Sequence, residues 1–378
     1  MFGKGVRLFK LFGFEVKIDA SWLIIALLVT LTLARGVFPL NYKGLSSSAY
    51  WAMGIIGALG LFASIIFHEF FHSIVARKYG LPMKGITLFV FGGVAEMEDE
   101  PPNAKTEFLM ALAGPLSSIV LGFAFYGLTG ALPGMPLYIS GVIAYLSFIN
   151  FVLAGFNLIP AFPLDGGRIL RSLLWHWKGN IRWATRVASA IGSGFGLFLI
   201  IMGLLGLFQG NVVGGVWSFL IGMFIRSASQ MSYQQVLLRR ALEGQTVARL
   251  MKKDPVTVAP STSVEQLVED YFFKYHFKMF PVASNGDLSG CISMAEVKDI
   301  PREQRSRKTV GELVHSCSPH NTIAPDADAM RALRQMSKGG EDKLLVVREG
   351  HLEGILTRND ILRYFSAKME LGEIEDNP

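Results

Sequence analysis

The chain has 378 residues, 51% of them hydrophobic and only 17% charged, and its mean hydropathy is +0.38. The net charge of +6 is explained by Lys and Arg residues at the ends of apolar segments, so we expect no nucleic-acid partner. Because the charge is concentrated in the C-terminal third, the composition predicts a membrane part followed by a part of different character.

Six apolar runs predict six membrane-spanning helices within residues 1–230. A spanning helix needs about 20 residues, and these runs approach or exceed that length. They lie at 21–34, 50–76, 106–130, 136–165, 187–208 and 212–225. We therefore expect a multi-span α-helical protein in the lipid bilayer of the cell membrane.

The Lys and Arg residues around these runs predict the orientation in the membrane. They cluster at 4–17, 77–105 and 168–186, whereas the alternate connections carry few or none. By the positive-inside rule the N-terminus lies in the cytoplasm, and so does everything after Arg226. The first run is followed by Arg35 rather than by a small-residue cleavage site, so we expect it to be an uncleaved span.

The second run ends in a polar cluster, FHEFFH at 67–72. On one helix His68 and His72 project from the same face and can bind one metal ion together, with Glu69 beside them within reach of a metal-bound water. An HExxH pattern in a soluble helix often arises by chance. Ionisable side chains are costly in a membrane span, so here the pattern favours a metal site.

The connection between the second and third runs predicts short β structure. Ile86–Glu96 is too short to cross as a helix, and its β-branched and aromatic residues around Gly92 and Gly93 predict short strands or a re-entrant loop. A helical substrate must unwind to expose its peptide carbonyls, and an unpaired strand edge would hold it extended. An interfacial loop packed on the helices is an equal alternative.

Asp165 is the candidate for a third metal ligand. It is the acidic residue besides Glu69 that lies within the apolar runs past their first residues. Like His72 it directly precedes a basic cluster, which places both residues at similar depth. Pro160 and Pro163 predict a break in the helix, and broken backbone at membrane depth is tolerated only where it lines a cavity or is buried in protein. The alternative is a proline kink before an ordinary Asp-Gly turn.

Three protein ligands with an open fourth position are typical of catalytic zinc. One zinc ion per chain would lower the pKa of its bound water, Glu69 would accept the proton, and peptide hydrolysis is the expected reaction. Asn157, eight residues before Asp165, is the candidate to hydrogen-bond the substrate or the developing oxyanion. A polar contact between helices is the alternative for Asn157.

The motifs HEFFH at 68–72, LAGPLSS at 112–118 and NLIPAFPLDGG at 157–167 resemble those of the site-2 protease family of intramembrane zinc metalloproteases. The resemblance covers most of residues 1–230. It implies the same zinc ligands, the same general base, and Asn157 as a polar active-site residue. It also implies that the substrate is a single-span membrane protein or a signal-peptide remnant, cut near the cytoplasmic face.

The C-terminal part contains an internal repeat. KMFPVASNGDLSGCISMAEVKDI at 278–300 aligns with KLLVVREGHLEGILTRNDILRYF at 343–365, and a helical stretch precedes each segment. This arrangement resembles a tandem pair of CBS domains. The resemblance predicts a cytoplasmic α/β domain over 245–366, with repeats at about 245–300 and 308–366.

The resemblance to CBS pairs also implies binding of an adenine nucleotide (ATP, ADP or AMP) and association into a homodimer. The Ser/Thr-x-x-Asp pattern of a ribose contact is present in the second repeat as Thr357 and Asp360, whereas the first repeat has Ser293 with Glu296 instead. One nucleotide site is therefore expected, with dimerisation or substrate docking as the alternative role of the pair.

The segments that flank the repeat carry weaker signals. Residues 231–244 predict a helical linker, and residues 367–378 predict a disordered tail. Cys291 and Cys317 have no CxxC spacing and a cytoplasmic address, so we expect free thiols.

Two other functions fit parts of the pattern. A CBS-regulated transporter would share the membrane core and the tail, but it would not need the HExxH pattern with Asp165 at one depth. A catalytically silent metal-binding receptor would keep the ligands and could dispense with Glu69. Proteolysis uses all of these residues, so the sequence predicts an intramembrane zinc metalloprotease.

Overall fold

A computed structural model describes residues 6–81, 83–90, 92–97, 101–132, 134–284, 286–315 and 321–373. The chain divides into two compact units, Met1–Gln234 and Gln235–Pro378. Each unit has hydrophobic clusters of its own.

The first unit is a helical bundle. Six helices of the described residues are long and apolar enough to cross a membrane: α1 (Ser21–Asn41), α2 (Ser47–Lys78), α3 (Ala104–Ala131), α4 (Leu137–Asn157), α6 (Ile181–Phe208) and α7 (Val212–Leu242). The six predicted spans are thereby confirmed. The sequence did not predict α5 (Asp165–Lys178), a separate helix too short to span. The fourth span ends at Asn157, and Asp165 therefore begins a new helix instead of closing the old one.

Small residues bring the last two spans together. A Cβ atom added to Gly196 would lie 2.7 Å from the carbonyl oxygen of Gly222, and one added to Gly203 would lie 2.7 Å from that of Gly215. Both glycine pairs repeat after seven residues, so they share one face of each helix. In lipid, where apolar surface gains little from burial between helices, such direct backbone contact is a main source of packing energy.

A four-stranded sheet completes the first unit, with the strand order β1-β2-β3-β4. Its strands are β1 (Val6–Leu11), β2 (Phe14–Ile18), β3 (Met83–Phe89) and β4 (Gly92–Met97). β2 runs parallel to β3, and the other neighbours are antiparallel. The strands predicted near Gly92 and Gly93 are confirmed, while β1 and β2 were not predicted. In β2 the buried residues Phe14 and Val16 alternate with more exposed ones, as expected for a strand with one covered face.

The second unit is an α/β domain built on a six-stranded sheet. The main order is β6-β7-β10-β9-β8, and β5 pairs with β10. The strands are β5 (Lys252–Lys253), β6 (Met279–Ser284), β7 (Asp287–Ser293), β8 (Thr322–Ile323), β9 (Lys343–Arg348) and β10 (His351–Thr357). The hairpins β6-β7 and β9-β10 occupy the two aligned repeats and meet through β7 and β10.

Helices and helical turns accompany the strands of this unit. They are α8 (Val247–Leu250), α9 (Val264–Gln266, Leu267–Phe272 and Phe273–Tyr275 in succession), α10 (Met294–Lys298), α11 (Arg302–Arg305), α12 (Ala329–Gly339) and α13 (Arg358–Glu370). α7 runs without a break to Leu242, through most of the segment 231–244. Leu242 is fully buried in the cluster that holds α12 and β9.

The C-terminal tail departs from its prediction. Residues 367–370 are part of α13, and 371–373 form a turn closed by a hydrogen bond from the Glu373 amide to the Lys368 carbonyl, so disorder does not begin at 367. Residues 374–378 lie outside the described residues. Cys291 is buried and forms no disulfide within the described residues, and Cys317 also lies outside the described residues.

Candidate metal centre

Three buried side chains meet inside the bundle. His68 and His72 lie one turn apart on α2, and Asp165 is the first residue of α5. Asp165 Oδ2 lies 3.0 Å from His68 Nε2 and 3.1 Å from His72 Nε2, and the two Nε2 atoms are 3.2 Å apart. The sequence predicted all three residues, and the structure brings Asp165 close to His72 from 93 residues further along the chain.

The chain turns between α4 and α5, and this turn places Asp165 beside the two histidines. The segment closes in short turns, with the Ala161 amide donating to the Ile159 carbonyl at 2.7 Å. A Cβ atom on Gly166 would lie 2.3 Å from the carbonyl oxygen of Leu158, and one on Gly167 would lie 2.2 Å from the amide nitrogen of Phe162. Only glycine therefore allows the first turn of α5 to pack on this backbone. Asp165 also lies at the positive end of the α5 dipole, which favours a carboxylate.

Helix α3 orients both imidazole rings. His72 Nδ1–H donates to the Met110 carbonyl at 2.6 Å, and His68 Nδ1 lies 2.9 Å from the Ser118 hydroxyl oxygen. With Nδ1 of each ring engaged in these contacts, Nε2 is the nitrogen that each ring offers to a metal.

Gly114 of α3 leaves room for the ligand atoms. A Cβ atom there would lie 2.2 Å from His72 Nε2 and 2.6 Å from His68 Nε2. Any side chain at this position would occupy the space that the two nitrogens face.

The donor set fits zinc. The three ligand atoms lie within 4.8 Å of one another. Bonds of 2.0–2.1 Å in tetrahedral geometry place ligand atoms about 3.3 Å apart, and the observed separations of 3.0–3.2 Å are close to that. Imidazole nitrogen and carboxylate oxygen are both zinc ligands, and three protein ligands leave one tetrahedral position for water or substrate.

Glu69 lies next to a metal-site histidine in sequence and close to the sheet. It follows His68 on α2, and a Cβ atom added to Gly93 of β4 would lie 3.0 Å from Glu69 Cγ. β4 pairs with β3 on one side and, within the described part of the chain, with no strand on the other. β4 is therefore an edge of the sheet, as β1 is on the opposite side, whereas β3 is paired on both sides.

The other predicted site residues have local partners. The Asn157 side-chain amide donates to the Leu153 carbonyl at 2.9 Å, one turn back in α4. In the second unit, Thr357 caps α13: its amide and hydroxyl donate to Asp360 Oδ2 at 3.0 and 2.5 Å, and the Asp360 amide donates to Thr357 Oγ1 at 3.2 Å. Asp360 Oδ1 lies 3.7 Å from Lys252 Nζ.

Sequence comparison agrees with the geometry. The profile of peptidase family M50 matches residues 56–139 and 134–203, and the CBS domain matches 247–303 and 310–367. Zinc metalloprotease MJ0392 of Methanocaldococcus jannaschii is 30% identical over 377 residues, which cover 98% of this chain and 99% of that protein. The chain belongs to peptidase family M50.

Other relatives of this M50 peptidase cover it almost as fully. A Mycobacterium tuberculosis homologue named as zinc metalloprotease Rip3 is 32% identical, over 95% of this chain and 92% of its own length. Among solved structures, the site-2 protease from Methanocaldococcus jannaschii is 31% identical, with a TM-score of 0.43 over 60% of this chain and 94% of that one.

Family membership confirms the protease prediction for this M50 peptidase: it is an intramembrane zinc metalloprotease of the site-2 type with a tandem CBS pair. The transporter and receptor alternatives are not favoured. The features of α3 that hold the site (the Met110 carbonyl, Gly114 and Ser118) were not predicted as parts of it. The LAGPLSS motif at 112–118 was the one signal for this helix, and it includes Gly114 and Ser118 but not Met110.

Proposed function

We propose that this peptidase hydrolyses peptide bonds with one zinc ion held by His68, His72 and Asp165, and with Glu69 as the general base. The observation that carries the proposal is the meeting of these three ligand atoms in a buried site, with both imidazoles oriented by α3. When bound, zinc would lower the pKa of a water molecule and polarise a substrate carbonyl.

Two side chains of the protein are proposed to carry out proton transfer and oxyanion stabilisation. Glu69 follows a ligand in sequence and faces β4, so its carboxylate can accept a proton beside the metal ligands and pass it to the leaving amine. Asn157 is proposed to stabilise the developing oxyanion. In that role its amide would exchange the hydrogen bond to the Leu153 carbonyl for one to the substrate.

The substrate is proposed to be a single-span membrane protein or a signal-peptide remnant, bound as an added strand on β4. The closeness of Gly93 to Glu69 supports this, because a Cβ atom at Gly93 would lie 3.0 Å from Glu69 Cγ and a strand paired with β4 would pass close to the general base. A helix hides its carbonyls in internal hydrogen bonds, and pairing with β4 would hold the unwound segment extended.

Proline substitutions test the role of the β4 edge. Amide groups along a strand point alternately to its two sides, so of Val94 and Ala95 one directs its N–H away from β3. Replacing that residue by Pro should abolish cleavage and leave zinc content at the wild-type level, whereas the other Pro variant should disturb the sheet itself. Full cleavage by both variants, at wild-type zinc content, would rule out the edge as the substrate site.

The orientation is proposed from the basic residues at the ends of the spans. Their distribution supports a cytoplasmic N-terminus and a cytoplasmic CBS pair. A fluorescent protein fused after residue 378 should then fluoresce, and an alkaline phosphatase fused at the same point should be inactive. The reverse pattern would contradict this orientation.

The CBS pair is proposed to form a homodimer and to bind one adenine nucleotide through Thr357 and Asp360. The capping hydrogen bonds between Thr357 and Asp360 form without a nucleotide and so do not by themselves indicate one. Lys252, whose Nζ lies 3.7 Å from Asp360 Oδ1, supports the proposal because it provides a cation that could bind a phosphate. Calorimetry with ATP, ADP and AMP should show binding that Asp360→Asn weakens at least about tenfold and Ser293→Ala leaves unchanged. No binding of any of the three would refute the nucleotide site, and a monomeric mass in light scattering would refute the homodimer.

The proteolytic function is tested with purified protein in lipid vesicles and a single-span reporter. Wild type should cleave the reporter and contain one zinc ion per chain. Asp165→Ala should lose both zinc and cleavage, because two histidines alone do not close the site. Retention of zinc and activity by Asp165→Ala would contradict the proposed ligand set.

A further inference from the structure

A buried ion pair joins α3 to α5 beside the metal centre. Glu107 in the first turn of α3 is fully buried, and Arg171 of α5 is 4% exposed. Arg171 Nε donates to Glu107 Oε1 at 2.7 Å, and Arg171 Nη2 donates to the same oxygen. Arg168 Nε lies 3.9 Å from that oxygen, and Glu107 Oε2 has no hydrogen-bond partner among the described residues.

A buried ion pair contributes little net free energy to the packing of two helices. Removing both charges from water costs free energy that their attraction often fails to recover, and apolar side chains of similar volume usually pack as well or better. One carboxylate oxygen of Glu107 has no hydrogen-bond partner in the part of the chain that the structure describes, which adds to the cost. The stability of the fold therefore does not explain the ion pair. A need to hold α3 and α5 in a fixed relative position does explain it.

α3 orients the two histidines of α2, and α5 carries the carboxylate of the metal site. α3 holds the imidazoles through the Met110 carbonyl and the Ser118 hydroxyl, which follow Glu107 by three and eleven residues and lie on the same face. α5 begins with Asp165, six residues before Arg171. A slide of α5 along α3 would thus change the separation between the carboxylate and the two Nε2 atoms.

Arg171 also contacts the turn that leads to Asp165. Its guanidinium lies over the Phe162 ring, 5.1 Å from the centroid, and the Phe162 carbonyl accepts a hydrogen bond from the Ser229 hydroxyl of α7. A planar guanidinium can make the two donations to Glu107 and the ring contact at once, which a lysine ammonium cannot.

We propose that Glu107 and Arg171 are positioning residues that set the distance between Asp165 and the two histidines and so determine the affinity for zinc. This inference rests on the zinc ligand set proposed above. Ligand distances must be kept within about 0.2 Å of their ideal values. Loss of a group that orients a ligand typically weakens metal binding 10- to 100-fold.

The test is the zinc dissociation constant of the full-length protein, measured by competition with a chromogenic chelator. Glu107→Gln and Arg171→Lys should each bind zinc about 10- to 100-fold more weakly than wild type. Reporter cleavage by both variants should return close to the wild-type rate at saturating zinc, because neither residue touches the substrate. Ser189→Ala, which removes a buried hydroxyl of α6 that has no partner among the described residues, is the matched control and should bind zinc as wild type does.

A variant that fails to fold is replaced by the double variant Glu107→Leu/Arg171→Met, in which apolar side chains replace both charges of the buried pair, so neither of the two is left without the other. Arg168, which is more exposed than Arg171, loses Glu107 as a neighbour in this variant. The double variant should fold and still bind zinc at least about tenfold more weakly. Wild-type zinc affinity in the folded single variants, or in the double variant, would overturn the proposal. Failure of the ligand set itself is distinguishable, because Asp165→Ala would then bind zinc as tightly as wild type.

Discussion

Gly114→Ala should destroy the metal centre while leaving the helix intact. The added Cβ atom would lie 2.2 Å from His72 Nε2 and 2.6 Å from His68 Nε2, where ordinary contact begins at 3.4 Å. The His72 ring would have to retreat by about 1.2 Å, several times the distance error that a metal site tolerates. Alanine is also a better helix former than glycine, by about 1 kcal/mol, so α3 itself gains stability.

We expect the zinc dissociation constant of Gly114→Ala to rise at least about 100-fold, or by about 2.8 kcal/mol. The assay is metal content by mass spectrometry after dialysis against graded chelator concentrations. Gly127→Ala is the matched control, because it lies in the same helix and its Cβ would meet nothing within 4 Å. Wild-type zinc affinity in a folded Gly114→Ala protein would refute the geometry of the site.

Three further predictions concern the sheet edge, the CBS pair and the metal. Gly93→Val should lower the cleavage rate of the reporter at unchanged zinc content, because its side chain would press on Glu69. Partial burial would raise the pKa of Glu296, but hydrogen bonds from Ser293 outweigh it and keep that pKa below its usual value of 4.5. The stabilisation from Glu296 is therefore complete above about pH 4.5 and is lost as the pH falls through the folded-state pKa. Protection factors against hydrogen exchange around α10, which correct for the slower intrinsic exchange in acid, should therefore fall in acid for wild type and change less for Glu296→Gln. Removal of zinc by a chelator should stop cleavage, and added zinc should restore it.

The sequence predicted those residues of the site whose side chains are polar or charged within an apolar segment. Charged and polar residues are rare in membrane spans, so His68, Glu69, His72 and Asp165 stood out against an apolar background. The apolar runs likewise predicted six spans, because length and hydropathy alone constrain a helix in lipid.

The elements and contacts that the sequence did not predict leave only weak patterns in the local sequence. α5 is amphipathic and starts directly at Asp165, the proposed third ligand, so the sequence merged it with the end of the preceding span. β1 and β2 lie in a basic N-terminal segment, and β2 pairs with β3, which lies more than 60 residues further along the chain. Pairing at that distance in sequence is not visible in local composition, and neither is the contact between Glu107 and Arg171.

The most direct test of the central claim compares wild type with Glu69→Gln on one reporter in lipid vesicles. The substitution keeps the shape of the side chain and leaves all three ligands in place, so the variant should retain one zinc ion per chain. It should cleave the reporter about 100- to 10,000-fold more slowly, because the general base is lost. Cleavage at the wild-type rate by zinc-loaded Glu69→Gln would contradict the mechanism.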